Sequence, residues 1–188
     1  MRIIAGSARG RSLFVPAGDR VRPTADRVKE ALFSSLTSRF GTIEDLAVLD
    51  LFAGSGNLGI EALSRGAGSA VFVDNNPESL QFIKKNLQLT GFSDRAEVIR
   101  ADAVAAVKQL ASANMKFDII VADPPYGAIA ISEELIAAVA NGKLMREGGV
   151  MVIESARKAE MTLPAGLGLS ARKVYGDTAL NFLEFPQP

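Results

Sequence analysis

Leu46-Ala47-Val48-Leu49-Asp50-Leu51-Phe52-Ala53-Gly54-Ser55-Gly56-Asn57-Leu58-Gly59 reads as a buried strand that runs through a glycine turn into a helix. Its first seven residues are apolar apart from Asp50, the composition of a parallel strand covered on both faces. Gly54, Gly56 and Gly59 satisfy G-x-G-x-x-G between strand and helix, the context a nucleotide-binding turn requires. Glycine lets a backbone turn sharply and approach a ligand closely. Asp74 stands twenty residues after Gly54, at the end of the next apolar run, Ala70-Val71-Phe72-Val73. A carboxylate there can take both hydroxyls of a ribose. The plainer alternative, a tight turn that binds nothing, leaves Asp74 unexplained.

The same alternation continues in both directions. A helix is expected through about Arg65, and another from Pro77 at its first turn to about Leu89. Ala96-Glu97-Val98-Ile99 is a third strand, followed by a helix from Ala103 to about Ser112. Lys116 to Ala122 is a fourth strand, about Ile131 to Ala140 a helix, and Gly149-Val150-Met151-Val152-Ile153-Glu154 a fifth strand. Leu169 to Val174 and Leu180 to Phe185 flank Tyr175-Gly176-Asp177-Thr178 and read as an antiparallel hairpin closing the sheet. The βαβ repetition predicts an α/β, doubly wound, mostly parallel sheet.

Upstream, Arg2-Ile3-Ile4-Ala5 and Arg11-Ser12-Leu13-Phe14-Val15 are short strand candidates joined by Gly6-Ser7-Ala8-Arg9-Gly10. They predict a small hairpin appendage with arginines at its tip. Thr24 is the expected N-cap of a helix through about Ser38, with Val28, Ala31, Leu32, Ser35 and Leu36 as its apolar stripe and Arg27 and Lys29 off it. The expected organisation is an N-terminal extension over 1–40 and a main domain over 41–188. The extension holds eight Arg or Lys against three Asp or Glu, a net +5, and the remainder carries −5. A basic segment on an acidic body suits contact with a polyanion, or else is a solvated basic surface.

With 188 residues, 48% apolar and 22% charged, the chain has the makeup of a soluble domain with a full core. No apolar run approaches a membrane span, and the apolar stretch after Met1 is too short for a secretory signal, so a cytoplasmic protein is expected. Cysteine and histidine are both absent, which excludes disulfides, a thiolate nucleophile, a Cys/His zinc site and any triad with a histidine base. Chemistry here must use carboxylates, backbone groups and an already activated cosubstrate.

Asp123-Pro124-Pro125-Tyr126 ends the fourth strand. Two prolines stop the strand and stiffen the turn, at the strand end where open α/β sheets bind ligands. The turn offers a carboxylate, carbonyls and an aromatic face, a set suited to a flat, amine-bearing ring. A strand-ending turn with a chance tyrosine is the alternative. Asp50, Asp74, Asp102 and Asp123 thus close four successive strands; helix caps explain one or two of them, and all four together point to one crevice. A nicotinamide enzyme would set pyrophosphate on the glycine turn, where Asp50 would be badly placed, and the chain has no room for a separate substrate domain. S-adenosylmethionine brings an ammonium that Asp50 can help orient through the loop or a water, ribose hydroxyls for Asp74 and an adenine amine for Asp102.

Asp50 to Gly59 together with Asp123-Pro124-Pro125-Tyr126 resembles class I methyltransferases that modify an exocyclic base amine. Arg2-Ile3-Ile4-Ala5-Gly6, Arg9-Gly10-Arg11 and Arg22-Pro23-Thr24-Ala25-Asp26-Arg27-Val28-Lys29-Glu30-Ala31-Leu32-Phe33 narrow the resemblance to the bacterial 16S rRNA guanine-N2 methyltransferases of the RsmD family. It spans nearly the whole chain, and Asn57 departs from the small residue expected at that position. The resemblance implies a seven-stranded sheet of order 3-2-1-4-5-7-6 with the last strand antiparallel, and S-adenosylmethionine as cofactor. It implies cofactor contacts at Asp50, Phe52, Ala53, Gly54, Ser55, Gly56, Gly59, Asp74, Asn75, Asp102, Ala103 and Asp123. It also implies action on the base by Asp123, Pro124, Pro125 and Tyr126, and RNA contacts at Arg9, Arg11, Arg20, Arg22, Thr24 and Arg27. The expected partner is 16S rRNA or the assembling small subunit, with no membrane, no metal and a monomeric enzyme. Neighbouring possibilities are an adenine-N6 or protein-glutamine methyltransferase, or an RNA-binding module without activity. The intact glycine turn, Asp74 and Asp123 weigh against the last.

Overall fold

A computed structural model describes residues 1–16, 23–125 and 127–186, with only the backbone of 23–25. Arg20, Arg22 and Tyr126 therefore lie outside the described residues, as does the side chain of Thr24. The elements in chain order are α1 (Pro23–Phe40), β1 (Ala47–Leu51), α2 (Asn57–Ser64), β2 (Ser69–Asp74), α3 (Pro77–Thr90), β3 (Ala96–Arg100), α4 (Ala103–Ser112), β4 (Phe117–Ala122), α5 (Ile129–Asn141), β5 (Met145–Ala156), β6 (Gly168–Tyr175) and β7 (Thr178–Glu184). A 3-10 turn, Ser93–Arg95, leads into β3.

The strands form one sheet in the order β3-β2-β1-β4-β5-β7-β6. β1 pairs in parallel with β2 and β4, and β4 with β5, while β7 runs antiparallel to both β5 and β6. Side chains along a strand point alternately to the two faces, and the core divides accordingly. Val48, Phe72, Val121 and Val152 share one layer with α1, α2 and α3; Leu49, Val71, Ile120 and Ile153 share the other with α4 and α5. This is why β1 and β4 read as nearly continuous apolar runs: both faces are covered.

The boundaries follow local chemistry. Asn76 caps α3, accepting from Glu78 N at 2.9 Å, with Pro77 in the first turn, and Gly91 ends the helix in the left-handed conformation. β5 begins at Met145, four residues before the expected Gly149, because the chain pairs with Phe117 before a register shift. α1 begins at Pro23, so Thr24 falls inside the first turn rather than at its N-cap.

The N-terminal segment differs from the expected hairpin appendage. Its two arms meet in one antiparallel bridge, Arg2 with Ser12, and do not lengthen into strands. They are held against the main body instead. Ile3, Ala8 and Leu13 join the core layer of α1, α2 and α3, and burying each large side chain stabilises the docking by about 1.5–3 kcal/mol. Gly6 lies so close to the end of α2 that a β-carbon on it would meet Ser64 O at 1.7 Å. The Ile4 and Ala5 amides donate to the Glu61 carboxylate at 2.8 and 3.0 Å. That docking covers a second flank of α1, and Lys29, expected off the apolar stripe, is only 2% exposed.

Candidate active site

The C-terminal ends of β1, β4 and β5 and the start of β7 border a cleft of about 490 Å3, with Asp74 and Asp102 outside its lining. Beyond β1 the chain enters the left-handed region three times, at Phe52 (φ 58°), Gly54 (φ 55°) and Gly56 (φ 80°). A phenylalanine in that region is a strained residue of the kind found at binding sites. Gly59 sits in the first turn of α2, where a β-carbon would lie 2.3 Å from the Phe72 ring and 3.1 Å from Asp50 Oδ2. Only glycine lets α2 close onto the sheet there.

Two carboxylates hold this loop. Asp50 is 2% exposed and its Oδ2 accepts from Gly59 N at 2.8 Å. Asp74 Oδ2 accepts from Gly54 N, and its Oδ1 from Asn76 N, both at 2.8 Å. Amides that would cradle a pyrophosphate are thus already bound to carboxylates. What the loop presents is acceptors, which fit a cationic ligand with hydroxyl and amine donors. Burial pushes the Asp50 carboxyl up to about 7, against the pull of the Gly59 amide, with the charges of Asp123 and Asp74 adding to the rise.

Asp102 caps α4, its Oδ1 accepting from Val104 N at 3.0 Å and Ala105 N at 3.1 Å. Its exposed side chain keeps a second oxygen outward, whereas the methyl of Ala103 packs into the core layer of α4 and α5. Asn75 is exposed beside Asp74. Phe52, Ala53, Gly54 and Ser55 line the cleft with Asp50 and Asp123. Asp123 is open to solvent at the mouth, yet the protein crowded around it withdraws enough water to push its carboxyl up to about 6. Pro124 is buried and Pro125 exposed. Beyond them Gly127 turns with φ 82° and Ala128 N donates to Pro125 O at 3.1 Å.

Glu154, Lys29 and Asn57 line the cleft but are not expected there from the sequence, where Lys29 falls off the helix stripe and Asn57 stands only as a departure from the motif. Glu154 lies two residues before the end of β5, where its apolar run stops, and burial with the Asp123 charge pushes it up to about 7. Its position as a carboxylate closing an apolar strand was the available signal. Lys29 and Asn57 also line the cleft. Lys29 Nζ donates to Arg2 O (2.6 Å) and Asn57 Oδ1 (2.7 Å), and pairs with the Glu61 carboxylate at 3.3 Å. Burial lowers its pKa, and Glu61 opposes that shift. The departure at Asn57 is explained by this bond: the side chain joins α2 to α1.

Arg9 and Arg11 are exposed on the N-terminal segment, and the Arg11 guanidinium donates to Leu89 O at the end of α3. Arg27 is exposed too, but on a different groove, between the N-terminal segment and α1, where Arg2 pairs with Asp26 at 3.4 Å. Among the described residues no group of His, Cys, Asp or Glu is arranged to hold a metal ion, and no helix is long and apolar enough to cross a membrane.

The family model for conserved hypothetical protein 95 matches residues 1–184. The Bacillus subtilis (strain 168) protein YlbH is 38% identical over 181 residues, 96% of each chain. Ribosomal RNA small subunit methyltransferase D of Escherichia coli (strain K12) is 36% identical over 179 residues, covering 95% of this chain and 87% of that one. The solved structure of Escherichia coli yhhF superposes with a TM-score of 0.84 at 34% identity, over 98% of this chain and 97% of the other. These matches run along nearly the whole chain, and the chain belongs to the class I S-adenosylmethionine-dependent methyltransferases closely related to the bacterial RsmD-like 16S rRNA methyltransferases.

Proposed function

We propose that this enzyme methylates the exocyclic N2 amine of a guanine in small-subunit (16S) rRNA. The observation that carries this reading is Asp123, which lines the cleft together with the glycine loop and also borders the adjoining cavity with Pro124, the proposed source of a second, carbonyl acceptor. A guanine amine is a poor nucleophile because its lone pair is delocalised into the ring. Two acceptors on its N–H bonds orient that lone pair, and such positioning supplies much of the rate gain in group transfer. S-adenosylmethionine, when bound, supplies a methyl group that is already strongly electrophilic. Asp74 is suited to hold its ribose hydroxyls, Asp102 its adenine amine through the outward oxygen, and Asp50 its ammonium through the loop. Phe52, Ala53, Gly54, Ser55, Gly56, Gly59, Asn75 and the Ala103 backbone complete that seat.

Tyr126 would stack on a base taken out of its helix, as RNA is commonly read through unstacked bases. Arg9, Arg11, Arg20, Arg22 and Arg27, with Thr24, are the proposed phosphate contacts. The Asp123 carboxylate, already pushed up to about 6, is a fit acceptor for the proton the amine loses. The test is tritiated methyl transfer to 16S rRNA, free and in partly assembled subunits, from a strain lacking this activity, followed by nucleoside analysis. N2-methylguanine is the expected product; label in N6-methyladenine or in protein would overturn the proposal.

A further inference from the structure

β4 and β5 run side by side in register, Val121 against Val152 and Ala122 against Ile153. The next residue on each strand is a carboxylate, Asp123 and Glu154. Neighbouring strands stand about 4.8 Å apart, and register partners face the same way. Val121 and Val152 both line the cleft, so the two carboxylates continue its floor on the same face. Both also border a second cavity, of about 200 Å3, behind Pro124 and Pro125. They are a paired wall, reached from both sides.

No ion pair reaches Asp123 or Glu154 among the described residues. Lys29, the basic side chain of the cleft lining, is spent on Arg2 O, Asn57 and Glu61, and the other cation of the lining is the Met1 ammonium, which makes no ion pair with either carboxylate. Lys158 borders only the second cavity. Asp50 and Asp177, the other charged side chains of the cleft, are also acidic. Thr178 donates one hydrogen bond to Glu154. Two half-screened carboxylates side by side are costly unless a ligand brings donors. Burial and mutual repulsion accordingly push Glu154 up to about 7.

We infer that Glu154 is a specificity-determining residue that reads the edge of the target base, accepting the guanine N1–H next to the N2 amine held by Asp123. This rests on the proposed guanine reading and extends it. The guanine edge presents a row of donors, N1–H and two N2–H, and ionised carboxylates only accept. Above about pH 7, where Glu154 is ionised, the bare N1 lone pair that adenine presents beside its amine would face it with repulsion and no hydrogen bond. A site built around a donor on the substrate rejects an analogue that lacks it by ~10⁴-fold or more where the partner is fully buried. Glu154 is partly buried, and ~10²-fold is the expected scale here.

The test uses 16S rRNA ligated to carry guanine or 2-aminopurine at the nucleotide the enzyme modifies, in whichever form, free or assembled, supports transfer. 2-Aminopurine keeps the exocyclic amine and replaces N1–H by a lone pair. At about pH 8.5, where Glu154 is ionised, wild-type protein should methylate guanine at least ~10²-fold faster in single turnover. Glu154→Gln presents an amide N–H to that lone pair, and should narrow the ratio at least ~10-fold by slowing guanine and sparing 2-aminopurine. S-adenosylmethionine binding should stay at the wild-type value. The wild-type comparison needs no variant: equal rates on the two bases overturn the inference, as does an unchanged ratio in folded Glu154→Gln protein. Wild-type protein that makes no N2-methylguanine overturns the functional reading, and this inference with it.

Discussion

Replacing Gly59 with alanine is a direct test of how the glycine loop is held. The new β-carbon would sit 2.3 Å from Phe72 Cε1 and 2.7 Å from Cζ. Carbon atoms in contact prefer about 3.5–4.0 Å, so the overlap exceeds one ångström. Phe72 is 0% exposed and its ring has no free side to turn toward. The alternative is for α2 to rise off the sheet, which pulls Gly59 N from Asp50 Oδ2. Overpacking of this kind costs about 1–3 kcal/mol or more, and alanine recovers about 1 kcal/mol of helix propensity. A net loss of about 2 kcal/mol should lower Tm by roughly 4–8 °C in a chain of this size. Because the loop moves with α2, S-adenosylmethionine affinity should fall as well. Thermal unfolding followed by circular dichroism, with calorimetric titration of the cofactor, reads both. Adding Phe72→Leu should return part of both losses by removing the clashing ring atoms. Gly59→Ala protein that melts at or above the wild-type temperature and binds cofactor equally well would refute the account.

Asp50 makes stability pH-dependent. Its folded pKa is raised from 3.8 to about 7, so the folded chain holds the proton more tightly. Its contribution is full below about pH 4 and is lost as pH rises through about 7, by up to about 4 kcal/mol. Asp50→Asn keeps an acceptor for Gly59 N and should flatten the fall in unfolding free energy between pH 5 and 8; parallel curves for the two proteins would contradict this. Lys29→Met removes one of the two cations on the fully buried Glu61 carboxylate, leaving Arg65 at 2.8 Å, and should cost about 1–3 kcal/mol in urea denaturation, and a loss under about 0.5 kcal/mol would show the lysine to be dispensable. Arg9→Ala with Arg11→Ala should reduce the salt dependence of rRNA binding by roughly one unit of slope per lost phosphate contact and leave cofactor affinity unmoved; an unchanged slope would remove these side chains from the RNA interface.

What the chain determines by itself is what near neighbours decide. Apolar runs of strand length, glycines at 54, 56 and 59, proline at 77 and carboxylates after each run set the element order and place Asp50, Asp74, Asp102 and Asp123 at strand ends, where the structure has them. Hydrophobic period and turn chemistry act over a few residues, so they can be read from a few residues. The sheet order came through resemblance, since pairing partners are set by distant segments. Only the tertiary structure decided the rest. Lys29 has the helical position of a solvent-facing residue and is buried because the N-terminal segment, 27 residues earlier at Arg2, covers it. That segment packs instead of projecting because Glu61 takes its amides across 57 residues of chain. Asp50 and Asp74 take the Gly59 and Gly54 amides, placing two carboxylates against a loop that the same G-x-G-x-x-G could offer to a pyrophosphate. Glu154 meets Asp123 through strand register alone. Each is a contact between positions far apart in sequence, created when hydrophobic burial chose one packing and brought together polar groups whose local sequence carries no sign of the other.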